Sequence, residues 1–228
     1  GLGVGEDGAF HGSSRDVITH MFKRAPGFFD VVCYTGTGVR PTTVAHGLGA
    51  VPEMIIVKSR SNSEQWSVYH ASMGNAYTGA LNTTATPIWS DAQWNNTTPT
   101  DSLFTVGDGY TNSNTYTYVS YLFATLAGVS KVGGYTGNGS NLTIDCGFSG
   151  GARFVLIKRS NLIGAWYLWD TARGIVAGND SHISLDSTAS EVTSDDSIDP
   201  DNSGFIVNQV SATNINVSSA TYIFLAIA

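Results

Sequence analysis

The sequence predicts an all-β protein made of two tandem, homologous, jelly-roll-like β-sandwich modules of about 100 residues each. Three observations predict this fold. Short β-branched and aromatic runs alternate with turns rich in Gly, Asn, Ser and Thr. A strand–turn–strand unit in the first half recurs in the second half. Charged residues make up only 13% of the 228 residues, so the polar surface must come mainly from uncharged side chains.

The clearest unit is a predicted hairpin over residues 54–70. The run MIIVK is followed by the polar turn SRSNSEQ and by WSVYH, and the second half repeats it as RFVLIKR, SNLIGA and WYLWD. Lys58 thus matches Lys158, and Trp66 matches Trp166. Each arm is short, apolar or aromatic and bounded by turn-forming residues, which is the pattern of two antiparallel strands.

Four further blocks recur in the same order at a nearly constant spacing. They are VVCYTGTG (31–38) with VGGYTGNG (132–139), LNTTA (81–85) with LDSTA (185–189), LFTVG (103–107) with GFIVN (204–208), and TYVSYLFA (117–124) with TYIFLAIA (221–228). This order predicts a first module over residues 28–126 and a second over 127–228. The short apolar join at residues 126–128 predicts modules packed rigidly together.

Residues 1–27 precede the first repeat and form either an N-terminal arm or the closing strand of a preceding module. Apolar positions in residues 15–25 could share one face of a short helix. The register of residues 17–36 with residues 118–137 favours a strand instead. Such a strand would complete a fold that begins upstream in a longer polypeptide.

Charge and hydropathy exclude several partners. The net charge is −7 and the pI is about 5.0, with no basic stripe, so nucleic-acid binding and attraction to anionic membranes are not expected. Apolar runs stay well short of the ~18 residues that a membrane-spanning helix needs, so no membrane insertion is expected.

The two cysteines, Cys33 and Cys146, stand at non-equivalent positions of the two repeats. A disulfide repeated within each module is therefore excluded. A bridge between modules stays open, and two buried free thiols are favoured.

The motif set resembles a repeat module of tailed-bacteriophage tail-fibre-like and virion-surface structural proteins. The resemblance rests on KRAPGFFDVVCYTGTG, VAHGLGAVPEMIIVKSRSNSEQWSVYH and TYVSYLFA in the first copy, and on YTGNGS, FVLIKRSN, WYLWDTAR and TYIFLAIA in the second. It covers residues 17–228, although the second copy reads DCGFSGG at residues 145–151, where the first has the His-Gly-Leu-Gly turn. The resemblance implies a virion-surface location, other virion proteins as partners, a homo-oligomer with a trimer favoured, and no enzymatic activity.

Aromatic residues divide into two groups. Those with an aromatic counterpart in the other repeat are expected in the core, namely Trp66, Tyr69, Tyr34 and Phe104. A second group has no counterpart and falls where the repeat spacing changes, beside two amides: Tyr77, Trp89, Trp94 and Tyr110, with Asn95 and Asn96. Exposed aromatic rings with flanking amides suit a sugar, so these six residues form the predicted carbohydrate site, for which a host-surface glycan is the candidate ligand. The alternative is packing within the loops.

Metal and catalytic signals are weaker. The acidic run at residues 195–204 offers Asp196, Asp199 and Asp201 as a Ca²⁺ candidate, although it lacks the EF-hand spacing and could be a solvated turn. The five histidines have no i,i+4 or Cys-x-x-Cys companions, so no zinc site is expected. The G-x-S-x-G elbow is absent, and no catalytic residue or other cofactor is predicted.

Three functions therefore stand after the sequence is read. The first is host attachment by the distal region of a phage tail fibre or spike. The second is capsid decoration or fibre stiffening without a ligand. The third is a polysaccharide-degrading enzyme, which would need a cleft with two carboxylates about 5–9 Å apart.

Overall fold

The computed structural model describes residues 17–228, of which 38% lie in strands and 3% in helices. The prediction of an all-β protein is confirmed. The first half contains β1 (Phe29–Thr35), β2 (Thr42–Ala45), β3 (Met54–Ser59), β4 (Ser67–His70), β5 (Tyr77–Ala80), β6 (Ile88–Trp89), α1 (Asp91–Trp94), β7 (Leu103–Val106) and β8 (Thr117–Phe123), with a 3₁₀ turn at Ala71–Met73. The second half contains β9 (Ser130–Thr136), β10 (Leu142–Asp145), β11 (Phe154–Arg159), β12 (Trp166–Asp170), β13 (His182–Ser184), β14 (Ile198–Asp201), β15 (Gly204–Val207) and β16 (Thr221–Ile227).

The strands form four sheets, and each sheet draws its strands from one half of the chain. The first half has a six-stranded sheet in the order β1-β8-β3-β4-β5-β6 and a two-stranded sheet β2-β7. The second half has a five-stranded sheet, β9-β16-β11-β12-β13 when taken from β9, and a three-stranded sheet β10-β15-β14. The five shared strands of the large sheets thus follow the same order, and all the strand pairings are antiparallel.

The strand registers repeat as well. Met54 lies opposite His70 in the first predicted hairpin, and Phe154 lies opposite Asp170 in the second. The hairpin predicted over residues 54–70 is therefore confirmed as β3 and β4, and its repeat is β11 and β12.

Three apolar clusters hold these sheets together. Two of them each lie between a large sheet and a small one, with Ile55 and Phe104 in the first half and Ile157 and Phe205 in the second. The third joins the two large sheets across the halves: Phe29, Met54, Ile56, Val68, Phe123, Val132, Leu156, Trp166, Leu168, Ile223 and Leu225. Successive strand residues point to opposite faces, so neighbours such as Ile55 and Ile56 serve different clusters. The result is four layers, with the large sheets inside.

Polar contacts also cross between the halves. The indole Nε1 of Trp166 donates to the carbonyl of Ala80 at 2.9 Å. The ammonium of Lys158, which is fully buried, donates to the carbonyls of Thr84 and Gly164, at 3.0 Å for Thr84. Burial lowers the pKa of Lys158 to about 8. Both buried donors are thus paired with backbone carbonyls, as buried polar groups usually are.

His70 lies at the centre of the same junction. Its Nδ1 accepts a hydrogen bond from the backbone N–H of Ser72 at 3.2 Å, which places the ring proton on Nε2. That Nε2 then donates to the carbonyl of Phe224 in the second half, also at 3.2 Å. The second copy has Asp170 at the position equivalent to His70. The second half therefore lacks the imidazole donor that would make the same hydrogen bond to the first half.

The N-terminal segment packs against both halves without regular structure. Residues 17–24 form neither the favoured strand nor the alternative helix, and residues 1–16 of the predicted arm lie outside the described residues. The ring of Phe22 lies 5.5–5.7 Å from the rings of Phe29, Phe123 and Phe154. Side-chain packing across the junction therefore fixes this segment, and it joins no β-ladder before the bridge between Ala25 and Phe29.

Both cysteines are free thiols, as favoured from the sequence. Cys146 is buried in the second core. Cys33 is exposed on β1, so the expectation of burial is wrong for this residue. It lies on the outermost strand of its sheet, where residues have a neighbouring strand on only one side.

Two equivalent glycines allow close backbone contacts, and this generates a first prediction. A Cβ atom on Gly137 would lie 2.3 Å from the carbonyl oxygen of Val217, and one on Gly36 would lie 2.2 Å from that of Ser113. We expect Gly137→Ala to lower the free energy of unfolding by about 1–3 kcal/mol, because the backbone must move. Urea denaturation measures this change.

The matched control is Gly150→Ala. A Cβ atom there meets nothing within 4 Å, and the φ of Gly150 is not positive. Its free energy of unfolding should stay within about 0.5 kcal/mol of the parent value. Equal losses in both variants would contradict the close contact at Gly137.

A second prediction concerns acid stability. Burial lowers the pKa of His70 to about 4, against about 6.5 in an unfolded chain. The unfolded chain therefore binds a proton that the folded chain does not, and His70 costs stability as the pH falls from about 6.5 to about 4. His70→Gln keeps a donor and an acceptor but cannot titrate. Relative to this variant, the parent protein should lose up to about 3 kcal/mol across that window in denaturation at stepped pH. A constant difference between the two proteins would contradict the prediction.

Candidate functional site

The predicted carbohydrate residues lie in and after the hairpin of β5 and β6, at the outer edge of the first large sheet. Tyr77 on β5 is directly opposite Trp89 on β6, and directly opposed residues project from the same face of a sheet. Their side chains are well exposed, at 41% for Tyr77 and 65% for Trp89. Since β6 is the last strand of the sheet, the pair is open to a ligand from the side of the sheet.

Both faces of β6 are exposed, and Ile88 lies on the face opposite the two aromatic residues. It precedes Trp89 on β6, lies opposite Thr78, and is 60% exposed. Because side chains alternate along a strand, Ile88 projects away from the face of Tyr77 and Trp89. We call Tyr77 and Trp89 the aromatic pair.

Trp94 is not part of this surface, and the expectation that it lies in an exposed loop is wrong. Its side chain is only 2% exposed and packs edge-on against the ring of Tyr69 at 5.8 Å. The reason is the single turn of α1, in which the N–H of Asn95 donates to the carbonyl of Asp91 at 2.7 Å. This turn directs Trp94 into the core between the large and small sheets.

The two asparagines shape the turn after α1. Asn95 and Asn96 both adopt the left-handed backbone conformation, with φ of 51° and 47°, which Asn tolerates better than most residues. The side chain of Asn95 is committed to the fold, since its Oδ1 accepts from Arg40 Nε at 2.9 Å and its Nδ2 donates to Thr97 Oγ1 at 3.2 Å. Asn96 is exposed.

Arg40 holds the loops around this turn together. Its guanidinium lies 2.6 Å from an Asp91 oxygen and 3.7 Å from an Asp108 oxygen, in addition to its bond with Asn95. Tyr110, which is exposed, lies two residues after Asp108 on the same loop. Sequence reasoning missed Arg40, because its partners come from distant segments that no local pattern connects.

Of the six predicted residues, the structure therefore pairs Tyr77 with Trp89 by register. Asn95 and Asn96 lie at the end of α1, Tyr110 lies on a neighbouring loop, and Trp94 is in the core. An exposed indole beside a phenol offers apolar ring faces and polar edges, which is the chemistry that sugar rings require. The carbohydrate site stays a prediction, with the aromatic pair as its centre.

The Ca²⁺ candidates lie apart from this surface, in the second half. Asp196 and Asp199 each accept a hydrogen bond of 2.9 Å from the amide of Asn208. Asp201 accepts from the N–H of Ser203 at 2.8 Å, in the turn between β14 and β15. All three carboxylates thus have partners within the protein, and Ca²⁺ binding by them stays a prediction.

A different set of possible metal ligands was missed by sequence reasoning. Within residues 17–228, a single group of three such side chains has its ligand atoms within 4.8 Å of one another, and it consists of Asp180, His182 and Asp195. The missed signal is Asp-x-His in an extended segment, where residues two apart point to the same side. Helical and cysteine-based ligand spacings do not include this pattern.

The sheets and the exposed edge strand β6 define an all-β protein with an exposed aromatic pair. In the described part of the chain, no helix has the length and apolar character needed to cross a membrane. The chain belongs to the DUF7483 family, described as a domain of unknown function, which matches residues 16–228. No curated protein and no solved structure matches the chain.

The contrast between the two tryptophans generates a third prediction. Trp94→Ala removes a buried indole and should lower the free energy of unfolding by about 3–5 kcal/mol. Trp89→Ala removes an exposed indole and should change it by no more than about 0.5 kcal/mol. Urea denaturation of both variants beside the parent protein checks this order, and a reversed order would contradict the placement of the two side chains.

Proposed function

We propose that the chain is a bacteriophage virion-surface protein, most specifically the distal region of a tail fibre or spike, that binds a host-surface polysaccharide through the aromatic pair. The single observation that carries this proposal is the exposure of Tyr77 and Trp89 on one face of an edge hairpin. Aromatic side chains of this size are usually buried, and exposed ones in register provide a platform for an extended ligand.

The proposed architecture is a pair of tandem, homologous β-sandwich modules with a jelly-roll-like arrangement. The matching order of five strands in the large sheets supports the duplication. The matching registers of Val44 with Phe104 and of Ile144 with Phe205 in the small sheets support it further. In this proposal, residues 28–126 form the first module and residues 127–228 the second.

A single aromatic pair gives weak binding, so the proposed mechanism depends on many copies. A homo-oligomer, with a trimer favoured by the resemblance to tail-fibre modules, would present several pairs to one polysaccharide. Linked weak sites gain affinity without new contacts. The other virion proteins would be the partners that hold this oligomer on the particle surface.

Binding is proposed in preference to catalysis because of where the paired carboxylates lie. A glycoside hydrolase needs two carboxyl groups that flank a bound sugar. Asp180 and Asp195 are close together but buried, which closes them to a polysaccharide chain. The side chains of Asp91, two residues after Trp89, and of Asp108 are accessible to solvent, but both carboxylates are paired with the guanidinium of Arg40. Capsid decoration or fibre stiffening without a ligand is the remaining alternative.

The fourth prediction tests the proposal with an array of purified bacterial surface polysaccharides. The full chain, presented as its native oligomer, should bind at least one member saturably, and Trp89→Ala should lose most of that binding while its free energy of unfolding stays unchanged. Tyr77→Ala should weaken the same binding. Absence of binding by the parent oligomer would shift the function to decoration or stiffening.

Ile88→Ala is the matched control for this experiment. It removes an equally exposed apolar side chain from the same strand but from the opposite face. It should leave polysaccharide binding unchanged. If Ile88→Ala and Trp89→Ala lowered binding equally, the effect would belong to the edge strand as a whole, and the aromatic pair would lose its proposed role.

A further inference from the structure

A buried polar cluster lies beneath the outer edge of the second large sheet. Its members are Asp180, His182 and Asp195, which are 0%, 3% and 9% exposed. The Nδ1 atom of His182 lies 3.6 Å from Oδ1 of Asp195, and the ligand atoms of all three residues lie within 4.8 Å of one another. We call this group the Asp–His–Asp cluster.

Backbone pairing brings the three residues together. The N–H of Asp180 donates to the carbonyl of Asp195 at 3.0 Å, and His182 and Val192 exchange hydrogen bonds of 2.9 and 3.0 Å. The segment between His182 and Val192 leaves this pairing and returns to it. Asp180 and His182 are two residues apart in extended chain, so their side chains point to the same side.

Aromatic rings close the cluster from solvent. The ring of Trp169, opposite His182 in the ladder, lies 5.1 Å from the imidazole, and the ring of Tyr167 lies 5.4 Å from it. Trp169 is itself fully buried in the second core. The cluster is thus built into the protein interior, where an uncompensated charge costs several kcal/mol.

Hydrogen bonding within the protein accounts for only half of the carboxylate oxygens. Asp180 Oδ1 accepts from the N–H groups of Ser197 and Ile198, at 3.1 and 3.0 Å, and Asp195 Oδ1 accepts from the hydroxyl of Ser197 at 2.7 Å. Asp180 Oδ2, Asp195 Oδ2 and His182 Nδ1 are buried and make no hydrogen bond of normal geometry, and the same is true of the indole N–H of Trp169, which interacts with the Asp180 carboxylate. The two oxygens and the imidazole nitrogen together leave a set of electron-pair donors that a ligand can use.

Charge gives the same indication. In the part of the chain that the structure describes, the ion pairs of Asp180 and Asp195 include no Lys or Arg, and the nearest basic group is His182 itself. An imidazole nitrogen within 4.8 Å of two carboxylate oxygens that have no Lys or Arg partner is the donor set of a divalent cation.

We propose that Asp180, His182 and Asp195 bind a divalent transition-metal ion, with Zn²⁺ as the preferred occupant, and that this ion is structural. One imidazole nitrogen with carboxylate oxygens favours Zn²⁺ over Ca²⁺, which prefers oxygen ligands alone. Tetrahedral zinc ligands about 2.0–2.2 Å from the ion lie ~3.4 Å apart, close to the distance between His182 and Asp195. The ion would tie the segment before β13 to the segment before β14.

This site would belong to the second half alone. Thr78 pairs with Ile88 in the first half where His182 pairs with Val192 in the second, so Ala76 and Thr78 occupy the positions of Asp180 and His182. Ala and Thr cannot supply this donor set. The proposal therefore predicts one ion per chain and stands independently of polysaccharide binding.

The test uses the full chain without an affinity tag. Because the cluster is buried, the chain is unfolded in the presence of a chelator, freed of metal, and refolded with or without ZnCl₂, so that slow entry cannot hide binding. We expect one Zn²⁺ per chain by elemental analysis and a rise in Tm of several degrees. No bound zinc and no change in Tm would overturn the proposal.

Variants locate the ion. Asp180→Asn and His182→Gln keep side-chain size and should lower Zn²⁺ affinity by more than about tenfold, because losing even a supporting group around a metal has an effect of that size. His46→Gln removes a histidine of the first half and should leave affinity unchanged. Zinc affinity that was lost in His46→Gln and kept in the cluster variants would overturn the assignment.

A spectroscopic measurement on the parent chain removes any dependence on whether the variants fold. Co²⁺ substituted at a tetrahedral site with a nitrogen ligand gives intense visible absorption, which Zn²⁺ should displace in a one-to-one titration. A weak spectrum typical of the hydrated ion would overturn the proposal. Titration with Ca²⁺ is the companion measurement, and stabilisation by Ca²⁺ without any by Zn²⁺ would favour the oxygen-only candidates Asp196, Asp199 and Asp201 instead.

Discussion

Each large sheet is apolar on both faces, and the rest of the structure depends on this constraint. In β3 and β11, consecutive residues are buried where a sheet with one wet face would alternate. A small sheet covers one face in each half. The other face of each large sheet is covered by its counterpart, which removes the largest apolar surfaces from water at once. The four layers follow from that requirement.

The junction between the large sheets also explains several buried polar groups. His70, Lys158 and the indole N–H of Trp166 all donate to backbone carbonyls across or beside it. Placing an ammonium group at 0% exposure costs solvation free energy, which the lowered pKa of Lys158 reflects. These donors fix how the two halves face one another, because an apolar interface alone would permit sliding.

Strands and their pairing were largely predictable from the sequence, because short apolar runs and the repeat both report on β-ladders. The hairpin of β3 and β4 and the core positions of Tyr69 and Phe104 follow from those patterns. The stacking of the large sheets did not follow from those patterns. A continuous apolar run indicates that both faces of a strand are covered, but it does not indicate which element covers them. Trp94 was predicted to be exposed, but the single helical turn α1 directs its side chain into the core. A strand pattern with a period of two residues does not predict such a turn.

The candidate sites divide in the same way. Trp89 could be found because it is aromatic, has no counterpart in the repeat and lies in a segment of variable length. The Asp–His–Asp cluster could not be found from the sequence. Asp195 joins it only because the chain after His182 returns to pair with β13 at Val192, and no local pattern predicts that return. The two sites nevertheless use equivalent hairpins. The first half carries its aromatic pair on the face of the large sheet that turns toward the other half, where the second has Ser181 and Thr193, and the second half carries its polar cluster on the face that turns toward its small sheet.

The contrast between the two cysteines has a practical consequence for labelling. Thiol-directed reagents react with the thiolate, and burial raises the pKa of Cys146 to about 12 while the core closes it from solvent. Cys33 is exposed on the outer strand of the other half. A maleimide dye at neutral pH would therefore attach to one defined position. The native sequence already provides a single position for a fluorescent reporter on the edge strand β1.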